Sequence, residues 1–89
     1  MASQRSAASR SVTDEERLRF FEAQAEQAYD EMYDARTPGD AAARYNDAKE
    51  ALYEAIGLAR RLGLSEKADR LEARLDHIKA VYRSQFWQG

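Results

Sequence analysis

The chain contains no cysteine, one proline, four glycines and one histidine, and each scarcity excludes something. Without thiols there is no disulfide framework, no thiol nucleophile, no iron-sulfur cluster and no cysteine-ligated zinc, and one imidazole removes every metal site that needs two. So few glycines and prolines leave little turn chemistry for an all-β fold. Long apolar runs are missing as well. No stretch approaches the roughly 18 residues needed to span a bilayer, and the first dozen residues lack the continuous apolar segment of a secretory signal. Charge of one sign is not in excess either: 14 Lys plus Arg against 16 Asp plus Glu give a net charge of -2, which supplies no global drive toward nucleic acid or an anionic membrane. The expectation is a cytoplasmic protein, without cofactor or metal and without enzymatic activity.

What is present suits a small helical domain. In 89 residues, 44% are hydrophobic and 34% charged, too apolar for a disordered chain and charged enough to clothe several helices. Residues 1–12 (MASQRSAASRSV) are small, polar and aperiodic, carry Arg5, Arg10 and no acid, and read as a disordered tail. Order is expected from Thr13, because Thr13-Asp14-Glu15-Glu16 is a capping box followed by an apolar stripe. Leu18, Phe21, Ala25, Ala28, Met32 and Ala35 recur at spacings of three and four and predict a first helix over about 14–35. Thr37-Pro38-Gly39-Asp40 is a second start signal, with a capping threonine and proline at the first helical position. Ala41, Tyr45, Ala48, Leu52, Ala55, Ala59 and Leu62 continue the rhythm over about 38–62, and Ala51, Ile56 and Leu58 widen that apolar sector enough for two neighbours. Gly63 stands where a left-handed helix end belongs. Ser65 is placed to cap a third helix over about 66–87, with Leu64, Ala68, Leu71, Leu75, Ile78, Tyr82 and Phe86 on its inner stripe.

Three amphipathic helices joined by tight turns predict an all-α, antiparallel up-down-up three-helix bundle over residues 13–88. Helix 1, whose stripe is mostly alanine at its centre, is its expected weak point: a helix held by so little bulk can detach and uncover a groove.

Chemistry-bearing residues are sparse. Helix 1 holds eight acids against three bases, with Glu26, Asp30 and Asp34 read as its outer acidic face, and no glycine-centred bend makes them a calcium loop. His77 falls nearly opposite the Leu75 stripe and is expected to face water with no nucleophile or carboxylate at helical spacing. Arg60, Arg61, Lys67, Arg70 and Arg74 flank the turn between helices 2 and 3 and read as one basic patch, the alternative site if the protein were a nucleic-acid accessory factor. No aromatics are interleaved with them for stacking on bases.

Five tyrosines are the most unusual feature. Tyr29 and Tyr33 lie one turn apart at the edge of the helix 1 stripe, and tyrosine is enriched at interface hot spots. Phe20 and Leu58 fall outside the central stripes at similar heights and are expected to line one groove, with Val81 and Trp87 off-stripe at the other end. Phe20, Tyr29, Tyr33, Leu58 and Trp87 are thus the expected partner-binding residues, for another protein's helix or for a second copy in a dimer. Gly57 sits in mid-helix without an evident reason.

The stretch AAARYNDAKEALYEAIGLARRLGLSEKADRLEARLDHIKAVYRSQF resembles the helical hairpins of tetratricopeptide repeats and of the three-helix microtubule-interacting-and-transport domains. Ala48, Leu52 and Ala55 match the small-large-small spacing of the second helix of a repeat, whereas the preceding helix lacks that family's Trp, Gly and Tyr pattern and has Gly39 at the Tyr position. The resemblance implies a scaffold whose interhelical groove accepts a peptide or helix.

Overall fold

A computed structural model describes residues 12–86, so the tail expected over 1–12 lies almost wholly outside the described residues, as does Trp87. Three α-helices follow one another: α1 (Asp14–Tyr33), α2 (Pro38–Arg61) and α3 (Ser65–Val81), the last running into a π-helical turn, Tyr82–Phe86. They form an all-α, antiparallel three-helix bundle, with α1 and α3 parallel and α2 between them.

The helix starts follow from local chemistry. The Thr13 hydroxyl accepts from the Glu16 amide at 3.1 Å and the Glu16 carboxylate accepts from the Thr13 amide at 3.1 Å. Each bond satisfies a donor that the first turn leaves without an intrahelical partner. Thr37 caps α2 in the same way, accepting from the Asp40 amide at 3.0 Å, with Pro38 at the start of the helix. α1 stops two residues before the expected end, the amides of Asp34 and Ala35 bonding to the carbonyls of Glu31 and Met32 as the turn tightens.

The α2–α3 turn is a Schellman motif. Gly63 takes φ +76°, Leu64 donates its amide to the Ala59 carbonyl at 2.8 Å, and Gly63 donates to that of Arg60 at 3.0 Å. These bonds satisfy the last carbonyls of α2, and the positive φ is the conformation in which a Cβ is penalised. The expected cap by Ser65 does not form. Leu64 occupies the cap position with no side-chain bond, its carbonyl accepting from Ala68 at 2.9 Å, and Ser65 is the first helical residue. Leu64, expected on the inner stripe, is 41% exposed, because the turn has already carried it off the helix face.

The core runs the length of α2. Ala48, Leu52, Ala55 and Ala59 are almost inaccessible, as are Ala25 and Met32 of α1 and Ala68 and Ile78 of α3. α1 lies very close to α2, and that closeness follows from alanine at the seam: Ala25 and Ala28 on one side, Ala48, Ala51 and Ala55 on the other. Small side chains let the two axes approach while keeping the interior dense. The expected weakness of α1 is therefore moved elsewhere. α1 is joined to α2 over its length, whereas the α1 and α3 backbones scarcely approach one another. Among the described residues no helix is long and apolar enough to cross a membrane, and no group of His, Cys, Asp or Glu is arranged to hold a metal ion.

Candidate interaction site

Two faces of the bundle differ in how they are closed. On the side where α1 and α3 face each other, long side chains fill the gap. Lys67 donates to both Glu22 oxygens at 3.1 and 3.2 Å, and Arg74 makes a two-pronged bond to Glu26 at 2.9 and 2.7 Å. The Arg74 guanidinium also lies 4.8 Å from the centroid of Tyr29. The Glu26 bond holds Arg74 above its ordinary pKa, against the opposing effect of burial. Arg61, at the end of α2, pairs with Asp14 at the start of α1 at 3.7 Å.

The same side continues into an aromatic cluster. Tyr29 and Tyr33 meet edge to face at 5.4 Å, their hydroxyls 3.3 Å apart. Tyr33 meets Phe86 edge to face at 5.2 Å, Phe86 lies parallel to Tyr82 at 6.1 Å, and Tyr82 stacks on Tyr45 at 3.9 Å. The rings thus link α1, the π turn and α2 at one end of the bundle, in geometries that favour aromatic pairs. The wider π turn carries both Tyr82 and Phe86 into this chain, and such turns recur where a helix must present particular side chains. The hydrogen bond to Tyr33, then burial, raises the Tyr29 phenol above its ordinary 10.0.

The opposite side, between α1 and α2, is an open groove of about 870 Å³. Its floor is Phe21, Ala28 and Ala51, and charged residues flank it: Arg17 and Glu31 on α1, Arg44, Asp47, Glu50 and Glu54 on α2. Arg44 is held between Glu31 at 3.7 Å and Asp47 at 3.2 Å, and Arg17 pairs with Asp14 at 3.8 Å. Glu50 and Glu54, one turn apart on α2, have no cation within ion-pair distance among the described residues. Phe20 stands 56% exposed beside this groove, its ring edge-on to Phe21 at 5.2 Å.

The expected partner-binding residues do not form one surface. Phe20 is exposed at the α1–α2 groove, whereas Tyr29 and Tyr33 belong to the aromatic cluster on the α1–α3 side. Leu58 is a core residue at 2% exposure. It was read as lying outside the central stripe of α2, but it packs into the core cluster that all three helices build. A Leu58→Ala substitution would therefore test folding, not binding. Val81 is half-buried, and His77 is exposed as expected, 6.4 Å from the Tyr29 ring.

The basic residues around the α2–α3 turn are largely ion-paired. Of the five, Arg60 pairs with Glu72, Arg61 with Asp14, Lys67 with Glu22 and Arg74 with Glu26, which leaves Arg70 without a carboxylate at ion-pair distance among the described residues. Glu26 accordingly faces α3 and is not part of an outer acidic face. Phe21, which lines the groove, was read only as a stripe residue, and Tyr53, also on the groove, only as one of five tyrosines; the i, i+4 pair Glu50 and Glu54 beside a 4-3 apolar stripe was the available signal. Among known proteins, no family model, no curated protein and no solved structure matches the chain.

Proposed function

We propose that the protein is an interaction module that docks an amphipathic helix of a partner protein in the α1–α2 groove. The observation that carries this reading is the groove itself: an apolar floor of Phe21, Ala28 and Ala51, an exposed Phe20 beside it, and charged walls. Helix-in-groove binding needs this combination, with apolar anchors at one helical face and polar flanks that set orientation. From Arg17 to Glu31 the groove follows α1 for fourteen residues, about 21 Å at 1.5 Å per residue. An occupant of about four turns fills it. Because Arg17 and Arg44 are paired and Glu50 and Glu54 are not, the favoured occupant carries basic residues beside its apolar stripe.

Selection of four-turn peptides displayed against the full chain, followed by backbone amide shift mapping, tests the reading. Basic-flanked amphipathic sequences should be enriched, and the shifted amides should fall within 17–31 and 44–54. Phe20→Ala should weaken binding by about tenfold or more if the ring is an anchor, with helicity unchanged. Peptides that shift α3 instead, or that bind Phe20→Ala and wild type alike, would refute the proposal. Sedimentation of the unliganded chain settles whether the occupant is a second copy: a dimer dissociated by Phe20→Ala identifies it as one.

A further inference from the structure

On the remaining face, between α2 and α3, cations and tyrosine rings alternate. The Lys49 ammonium stands 4.4 Å from the Tyr45 ring centroid and the Lys79 ammonium 5.7 Å from that of Tyr53. Tyr45 and Tyr82 are stacked between the helices, and with Lys79 and Arg83 they line a shallow cleft of about 200 Å³. Lys49 and Tyr53 are one turn apart on α2, Lys79 is near the end of α3, and Arg83 follows four residues on in the π turn. In contrast to Arg60, Arg61, Lys67 and Arg74, none of these three cations has a carboxylate within ion-pair distance among the described residues. Acids lie near: Asp76, a turn before Lys79, is exposed and bonded to neither Lys79 nor Arg83, while Glu50, next to Lys49, and Glu54, next to Tyr53, line the groove with α1. Tyr53 is 54% exposed, so one large flat ring remains open to a ligand.

We infer that this strip binds single-stranded nucleic acid, with phosphates on Lys49, Lys79 and Arg83 and a base against Tyr53. The strip meets the helix-docking groove at Tyr53, whose ring lines that groove and also lies under Lys79, and its remaining residues lie outside the groove. Unpaired cations alone would suit any anion. Their alternation with rings suits a ligand that carries a negative charge and a flat apolar face in every repeat, which a nucleotide strand does and an acidic peptide does not. The chain's slight negative charge does not forbid this, because α1 holds most of the acid excess and the strip's cations come from α2, α3 and the π turn.

Fluorescence anisotropy of a labelled twelve-residue oligothymidylate with the full chain tests it. Three phosphate contacts on a single strand predict a log-log salt slope of about -2, so affinity should fall about 20-fold between 50 and 200 mM salt. The triple substitution Lys49→Glu, Lys79→Glu, Arg83→Glu should lower affinity at least tenfold, and Tyr53→Leu, which keeps apolar bulk and removes the flat ring, about fivefold or more. Arg19→Glu, a single charge reversal equal to each of those three but on the exposed face of α1, should leave binding within twofold, with circular dichroism unchanged in every variant. Binding unaffected by the triple substitution, or absent at 50 mM salt, would overturn the inference. So would a glutamate-rich peptide that binds the strip more tightly than the oligonucleotide, which would assign it to an acidic protein segment.

Discussion

Replacing Gly57 with alanine should stabilise the protein, and the same replacement at Gly63 should destabilise it. Gly57 lies inside α2, five residues before the C-cap Leu62, and is exposed. A Cβ built there meets nothing within 4 Å, and its φ is negative. No turn, close approach or neighbour requires the glycine, so only its backbone entropy enters, and glycine costs about 0.8–1.0 kcal/mol relative to alanine in a helix interior. Proximity to the helix end trims this to about 0.5–1 kcal/mol, or about 2–8 °C in melting temperature for a domain of this size. At Gly63 the space is equally open, but φ is +76°, and an L side chain in that conformation costs about 1–2 kcal/mol. Urea unfolding followed by far-ultraviolet circular dichroism reads both. Destabilisation by Gly57→Ala, or the same sign at both positions, would refute the reasoning and would mean that something covers α2 at Gly57.

Leu52→Ala, at a side chain 1% exposed in the middle of the core, should cost about 2–5 kcal/mol by chemical denaturation, whereas His77→Ala at an exposed position should stay within about 0.5 kcal/mol. A double-mutant cycle on Arg74 and Glu26, both substantially solvent-accessible, should give a coupling of no more than about 1 kcal/mol, shrinking as salt is raised. Tyr29 should ionise above 10.0 because its neutral form is held by Tyr33 and by burial, and ultraviolet absorbance of the phenolate should show Tyr33→Phe lowering that midpoint. Since the folded value is the raised one, this contribution to stability is complete below pH 10 and is lost as pH climbs toward the folded value.

What could be read from sequence here was local. The capping box at Thr13, the cap at Thr37 and the Schellman glycine involve residues three to five apart, and their bonds form wherever the chain turns helical, so Thr13, Thr37 and Gly63 did what their spacing implied. The 4-3 stripes likewise located Leu18, Leu52, Leu75 and Ile78 in the core. The misreadings concern what packs against what. Leu58 needed the joint packing of all three helices, which no single helix encodes. The pairing of the basic residues was not legible, because Lys67 and Arg74 find their acids 45 and 48 residues away. Ser65 lost its cap because a backbone carbonyl in the preceding turn had already started the helix. The aromatic cluster was legible only as a surplus of tyrosine, since its rings come from α1, α2 and the π turn and meet only after the bundle has formed.

The way the α1–α3 seam is closed bears on the order in which the molecule assembles. The α1–α2 and α2–α3 hairpins join neighbours in the chain, so their loop-closure costs are small and a helical protein of this kind folds on the microsecond-to-millisecond scale. The ion pairs of Glu22 with Lys67 and Glu26 with Arg74 bridge the most distant helices and can form only once both hairpins stand. Their loss should leave the folding limb of a chevron in place and raise the unfolding rate by no more than about fivefold for each bridge, so that these bridges prolong the closed state and have little part in how fast it closes.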